Sequence, residues 1–383
     1  MKPSALALVL AAAASNLAGV DAMWLFGHFH NNRKALDTLV ERATSNIWGI
    51  LEARTSNPSA TCTSRNVVVR VEWSTLEPQQ KDSYIRAVQC LQEKKAITPR
   101  AAGPGVKTRF EDFAALHINE TANIYHTSRF YTWQRQFLHL YEKALRDECG
   151  YTGYQPYWDW SSTKTVDAHP LFDGTPLSLG GNGLYSPGNG PYTFEPTTGY
   201  RKKNIAPGTG GDCVISGPFA DRLIKLGPHG PPLRSSLEGL SSRCLRRDFR
   251  DSMLQTYLRY PQVADLMKQN DLLAFDRIMT HGTNLHDSGL RAIGGECDDL
   301  WSCPQDPAYY FHHAQIDRLL TLWQGLDQET RTKQVIHTLT YKNRPPSDPG
   351  LLSTVIDMGF LNHRNTIGDL SSTINGPFCY TYA

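Results

Sequence analysis

A chain of 383 residues, 40% hydrophobic and 20% charged, has the make-up of a globular protein that buries a real core. This excludes disordered, collagen-like and coiled-coil architectures. With 39 Lys and Arg against 37 Asp and Glu the formal charge is only +2, and no basic stripe appears, so no nucleic-acid partner is expected.

The chain opens MKPSALALVLAAAASNLAGVDA, in which Lys2 precedes an apolar run from Ala5 to Ala14. Val20 and Ala22 suit a cleavage site, so residues 1–22 are expected to be a secretory signal peptide and residues 23–383 one domain. The run is shorter than the roughly 20 apolar residues a bilayer needs, no later stretch qualifies, and no membrane partner is expected. The expected location is the secretory pathway, ending outside the cell or in a vacuole. Eight cysteines (Cys62, Cys90, Cys149, Cys213, Cys244, Cys297, Cys303 and Cys379) favour disulfides there. They contain no C-x-x-C pair, so a zinc ribbon is not expected. Their connectivity stays open, with Cys297 and Cys303 close enough to pair. Asn119-Glu120-Thr121 is a glycosylation sequon.

Leu36, Leu39, Val40, Ala43 and Ile47 share one face of a helix over 33–54, ended by the break at Ser56 to Ala60. Pro78 suits the first position of a second helix, with Tyr84, Ile85, Val88 and Leu91 facing inward. Phe130, Trp133, Phe137, Leu140, Tyr141 and Ala144 mark a helix over 129–149, stopped by Gly150. From Ser161 to Cys213 the chain is rich in Gly and Pro and lacks periodicity, an unusually long excursion. Helical signals resume over 261–279 and after Asp306-Pro307, an N-cap followed by Pro. The reading is a mainly α domain with long connections and no internal repeat.

Chemistry concentrates in three places. On a helix after Asp306, His313 shares a face with Tyr309 or Tyr310, Ile316, Leu320 and Trp323, so its imidazole points inward, as a metal ligand or a hydrogen-bonded core residue. His281 and His286 stand five apart, where two ligands on one helical face are usually four apart; Gly282 is expected to loosen the turn and bring both round. With His313 they make a three-His site with an open position, suited to zinc or copper. The third place holds His117, Tyr125, His126 and Gln134. Gln134 lies between Phe130 and Phe137 on an inner face, where a buried amide needs partners.

Asp112-Phe-Ala-Ala-Leu-His117, Phe130-Tyr-Thr-Trp-Gln-Arg135 with Tyr141-Glu142, Pro156-Tyr-Trp-Asp-Trp160, and Asp306 to Arg318 with Trp323-Gln324 together resemble the type-3 copper family of tyrosinases, catechol oxidases and haemocyanins. Cys149-Gly-Tyr-Thr-Gly-Tyr and Cys213 to Pro218 resemble its filamentous-fungal branch, and the likeness runs from about Cys62 to Gln324. The resemblance implies a four-helix bundle holding two coppers on three His each. Carried over, it makes His281, His286 and His313 the ligands of the second site and gives His312 a supporting role. The first site would take His117, then Tyr125 and Gln134 where the family has His, with His126 one place beyond. No Cys lies just before His117, so the thioether of some relatives is absent.

A Tyr oxygen and a Gln amide are poor ligands beside imidazole, so tyrosinase turnover is not expected. The pattern of lost ligands resembles the cyclopenase members of the family. It implies zinc, with copper as the alternative, acting as a Lewis acid on a small-molecule substrate. The reaction implied is non-redox: a cyclopenin-type benzodiazepinedione epoxide becomes a viridicatin-type 4-arylquinolin-2-one with loss of methyl isocyanate, in fungal quinolone alkaloid biosynthesis. Tyr125, His126, Gln134 and His117 would then line the catalytic pocket and offer hydrogen bonds or proton transfer. The rival readings are a copper-dependent phenol or o-aminophenol oxidase and a non-catalytic binding or carrier protein.

Overall fold

The computed structural model describes residues 33–187, 192–194, 203–220, 222–227, 237, 242–281 and 284–383; the expected signal peptide and Gly282 lie outside these residues. The main helices are α1 (33–54), α2 (Pro78–Glu93), α3 (Arg109–Ile124), α4 (Phe130–Cys149), α5 (Asp251–Tyr257), α6 (Tyr260–Met267), α7 (Leu272–Met279), α8 (Leu285–Ile293) and α9 (Ala308–Gly325). Among the described residues, no helix is long and apolar enough to cross a membrane.

Local chemistry sets most of these boundaries. Pro78 opens α2, where Glu77 and Gln80 form a capping box. Gly150 ends α4 at φ +70°, a conformation that costs glycine nothing. The 261–279 stretch is two helices rather than one, because Asp271 caps a new start by accepting from the Ala274 N–H at 2.8 Å. α3 has no counterpart in the periodicity reading, although Thr108 and Glu111 spell its capping box. Asp306 does not cap α9 as expected; it accepts from the Ala308 N–H at 2.9 Å and grips the Arg247 guanidinium with both oxygens at 2.8 Å.

α4 and α9 lie at the centre, with α3 against α4 and α8 against α9, and α2 covers α3 and α4. Their interface is aromatic: Tyr141 on α4 and Tyr310 on α9 stack with centroids 3.5 Å apart, and Phe137 on α4 stacks on Tyr310 at 6.0 Å. α9 is buried along almost its whole length, Arg318 being the only residue within it that is not fully enclosed.

The Gly/Pro-rich excursion is pinned by short antiparallel ribbons, Gly183–Tyr185 with Gly211–Val214 and Tyr192–Phe194 with Lys203–Ile205. No alternation in the sequence announces these strands. Val68–Arg70 pairs in parallel with Tyr380–Tyr382, beside a disulfide between Cys62 and Cys379. The other disulfides are Cys90–Cys149, Cys213–Cys244 and the expected Cys297–Cys303.

One buried polar hub ties these parts together. Arg135 on α4 donates from Nε to Asp317 Oδ1 on α9 at 2.6 Å, and from Nη1 to the Ser371 carbonyl at 2.7 Å. Asp317 Oδ2 accepts from the Tyr380 and Tyr382 hydroxyls at 2.7 Å each. Arg70 lies 3.5 Å from the same oxygen and donates to Glu142 at 2.9 Å. Burial alone would raise the Asp317 carboxyl, but Arg135 and Arg70 outweigh it and hold the group below the usual range.

Removing one partner of a buried ion pair leaves a charge uncompensated, so Arg135→Met should cost about 3–5 kcal/mol in denaturant unfolding. A loss below about 1 kcal/mol would show that the hub carries little. A depressed carboxyl contributes stability above its unfolded pKa and loses it as pH falls through the native value. Wild-type stability should therefore fall as pH drops below about 3.8, and Asp317→Asn should flatten that limb of the pH–stability curve.

Candidate metal centre

His313 is buried in the second turn of α9, 1% exposed, and neither ring nitrogen has a hydrogen-bond partner. An unpaired buried polar group costs roughly 1–3 kcal/mol, so the imidazole is built to meet something other than protein. One turn earlier, Tyr309 lies against it with ring centroids 4.1 Å apart. Burial pushes both His313 and His312 well below the usual imidazole range, keeping them neutral and able to ligate.

His286 enters from the first turn of α8, which Asn284 caps. Its Nδ1 donates to Asp287 Oδ1 at 2.8 Å, which leaves Nε2 as the ligand atom. His312 packs against Trp160, with centroids 5.3 Å apart, and against the α8 backbone at His286 and Gly289. His286, His312 and His313 each bring a ligand nitrogen within 4.8 Å of the others. Three buried imidazoles with a carboxylate behind one of them fit zinc or copper.

The expected ligand set is brought together only in part. His286 and His313 share the pocket, but His281 lies in the loop after α7, on a different element from His286. The five-residue spacing is thus the gap between two helices rather than a loosened turn. His281 instead faces Asp276, with Nδ1 3.3 Å from Oδ2, and groups with Asp276 and His337.

Across the pocket, His117 on α3 donates from Nδ1 to the Trp301 carbonyl at 2.9 Å, and burial lowers it to about 4. Its neighbours at the other two expected ligand positions are committed elsewhere. The Tyr125 hydroxyl donates to Asp287 Oδ1 at 2.7 Å, and burial first, then Asp287, raises its pKa well above the phenol range. Gln134 Oε1 accepts from the Tyr309 hydroxyl at 2.8 Å, the partner its burial demanded. His126 holds a left-handed backbone at φ +52° and turns towards His281, with ring centroids 5.2 Å apart. His117, Tyr125 and Gln134 therefore do not fit a second metal. Trp133, Phe137 and Tyr309, each with its ring centroid within about 6 Å of that of His117, make the wall aromatic.

Sequence reasoning missed Asp276, Asp287, Tyr309 as the Gln134 partner, and His337. A carboxylate immediately after His286 is a readable signal for Asp287. Nothing local marks His337, which comes from a distant loop. A cavity of about 320 Å³ lined by Gln89, Thr108, Glu111, Arg222 and neighbours lies on the α2 side and shares no residue with the His pocket.

Residues 107–326 match the common central domain of tyrosinase. The chain is 40% identical over 299 residues to the tyrosinase-like protein orsC of Emericella nidulans, covering 74% of this chain and 80% of that one. It is 34% identical over 347 residues to the N-acetyl-6-hydroxytryptophan oxidase ivoB of the same organism, covering 84% and 93%. Among solved structures it matches a mutant polyphenol oxidase from Thermothelomyces thermophila with TM-score 0.85 and 37% identity, covering 91% of this chain and 98% of that chain.

Two substitutions test this geometry. A Cβ on Gly289 would collide with the His312 ring, so Gly289→Ala should cost about 1–3 kcal/mol by overpacking, despite alanine's helix advantage of roughly 0.5–1 kcal/mol. A gain in melting temperature would place His312 elsewhere. Asp287→Asn should weaken metal binding about 10–100-fold in a chelator competition, because the carboxylate orients His286; an unchanged affinity would remove His286 from the ligand set.

Proposed function

The chain belongs to the tyrosinase family, in its fungal branch, and we propose that it is an enzyme working with one metal in the His286–His312–His313 pocket rather than a coupled copper pair. The observation that carries this reading is the fate of the opposite site: Tyr125 and Gln134 are both consumed in hydrogen bonds, and His117 is the one imidazole left at the three expected positions. A zinc ion, or copper in its place, would supply Lewis-acid polarisation of a substrate oxygen.

The protein's own groups then do the rest. Asp287 accepts from both His286 and Tyr125 and so holds the two walls of the pocket in register. Neutral His117, tied through Nδ1, presents Nε2 to the interior as a hydrogen-bonding or proton-accepting atom. Trp133, Phe137 and Tyr309 suit an aryl group and keep water from the reacting bonds. His126 stands at the mouth, where Nδ1 is without a partner.

We assign as substrate a cyclopenin-type benzodiazepinedione epoxide, contracted to a viridicatin-type 4-arylquinolin-2-one with release of methyl isocyanate in a quinolone alkaloid route. The step balances without an oxidant, in keeping with a site that lacks a second three-nitrogen shell. Fungal tyrosinase-like relatives support the coarser reading, an enzyme of this family. Four disulfides and the apolar N-terminal run support assignment to the secretory pathway. The likeness to an N-acetyl-6-hydroxytryptophan oxidase and a polyphenol oxidase favours one other reading, copper-dependent oxidation of a phenol or o-aminophenol.

Conversion of the epoxide should proceed equally with and without oxygen. His313→Ala should abolish it and remove about one metal equivalent per chain, read by elemental mass spectrometry. Oxygen-dependent turnover of a catechol, with copper and a near-ultraviolet band that appears only under oxygen, would replace this reading with the oxidase. Unchanged turnover in His313→Ala would refute both.

A further inference from the structure

We infer that His281, His337 and Asp276, with His126 beside them, form a second divalent-cation site at the rim of the pocket, suited to zinc. It is separate from the inner His286–His312–His313 group and does not depend on the reaction proposed for that group.

Three separate stretches of chain supply the cluster. Asp276 comes from α7, His281 from the loop after it, His126 from the turn between α3 and α4, and His337 from the segment following α9. Asp276, His281 and His337 each bring a ligand atom within 4.8 Å of the others. Two imidazole nitrogens converge on one carboxylate oxygen: His337 Nε2 lies 2.8 Å and His281 Nδ1 3.3 Å from Asp276 Oδ2. The other oxygen is already occupied by the Tyr131 and Thr280 hydroxyls, at 2.7 and 3.0 Å, which fix the carboxylate plane from behind. The His126 ring is 5.2 Å from that of His281, centroid to centroid, and its buried Nδ1 has no partner.

Two further facts point to a ligand rather than a hydrogen-bonded cluster alone. His126 and His337 both hold left-handed backbones, at φ +52° and +63°, which non-glycine residues adopt at a cost and which concentrate at functional sites. His281 and His337 keep 27% and 24% of their side chains exposed, so an ion can enter from solvent. Imidazoles with a single carboxylate suit zinc and its first-row neighbours; calcium and magnesium take sets made of oxygens. A cation here would clamp the His337 segment onto α7 and the α3–α4 turn.

The test is zinc(II) alone, added to chelator-stripped protein and followed by bound metal after dialysis and by melting temperature. In a His313→Ala background, about one equivalent should bind and raise the melting temperature. Adding His337→Asn, which tolerates the left-handed backbone but lacks the imidazole, should lower the affinity at least tenfold and abolish the thermal shift. If His313→Ala does not fold, the same comparison in the otherwise unchanged chain should show His337→Asn losing one equivalent that Asp287→Asn retains. Zinc binding by His337→Asn equal to that of its parent would overturn the proposal, whatever becomes of the inner pocket.

Discussion

Everything in this fold that positions chemistry depends on one buried carboxylate. Asp317 accepts from Arg135, Tyr380 and Tyr382, and Arg70 lies beside it, so α9, α4 and two short strands meet at a single charge. In a low-dielectric interior such a group is tolerable only when fully paired, which leaves α4 and α9 almost no freedom to slide. Arg135 follows Gln134 directly, and Asp317 lies one helical turn beyond His313. Locking the pair therefore sets which face of α4 looks at which face of α9, and the Tyr309–Gln134 contact follows from it.

The pocket that results is asymmetric. On the α8–α9 side, His286, His312 and His313 converge with little hydrogen bonding to distract them. On the α3–α4 side, the polar groups are answered by protein: His117 by a carbonyl, Gln134 by a phenol, Tyr125 by a carboxylate. Asp287 joins the two sides because a single oxygen accepts from Tyr125 and from His286. A phenol in place of an imidazole thus turns a ligand position into a strut for the opposite wall.

The helices carrying long apolar stripes, α1, α2, α4 and α9, are legible because burial on one face leaves a period of 3.6 residues in the sequence. α3 is not, since all of its first ten residues are buried and no exposed face remains there to contrast with. The ribbons are two to four residues long, too short to show alternation. At the site, His286 and His313 are readable from their motifs. The odd spacing of His281 from His286 is visible too, but its cause is not: a break between α7 and α8, rather than a loosened turn, lets His281 face Asp276. His337 owes its place to a segment that folds back from beyond α9, a long-range event with no local trace. The partners of Gln134 and Tyr125 are equally invisible, because hydrogen-bond demand can be inferred from a buried polar residue but its supplier cannot.

The parallel pairing of Val68–Arg70 with Tyr380–Tyr382, and the disulfide beside it, bear on how the chain is made. Cys62 and Cys379 are 317 residues apart, so at roughly 5–20 residues per second the first waits about 16–63 s on the ribosome's timetable for the second. Cys90, Cys149 and the rest emerge in that interval, each a competing partner for an early thiol. Tyr380 and Tyr382 arrive equally late, so until then Asp317 is short of two donors. The order of synthesis runs against the order of dependence in the core, and expression in a host with little disulfide-isomerase capacity should trap Cys62 in the wrong bond.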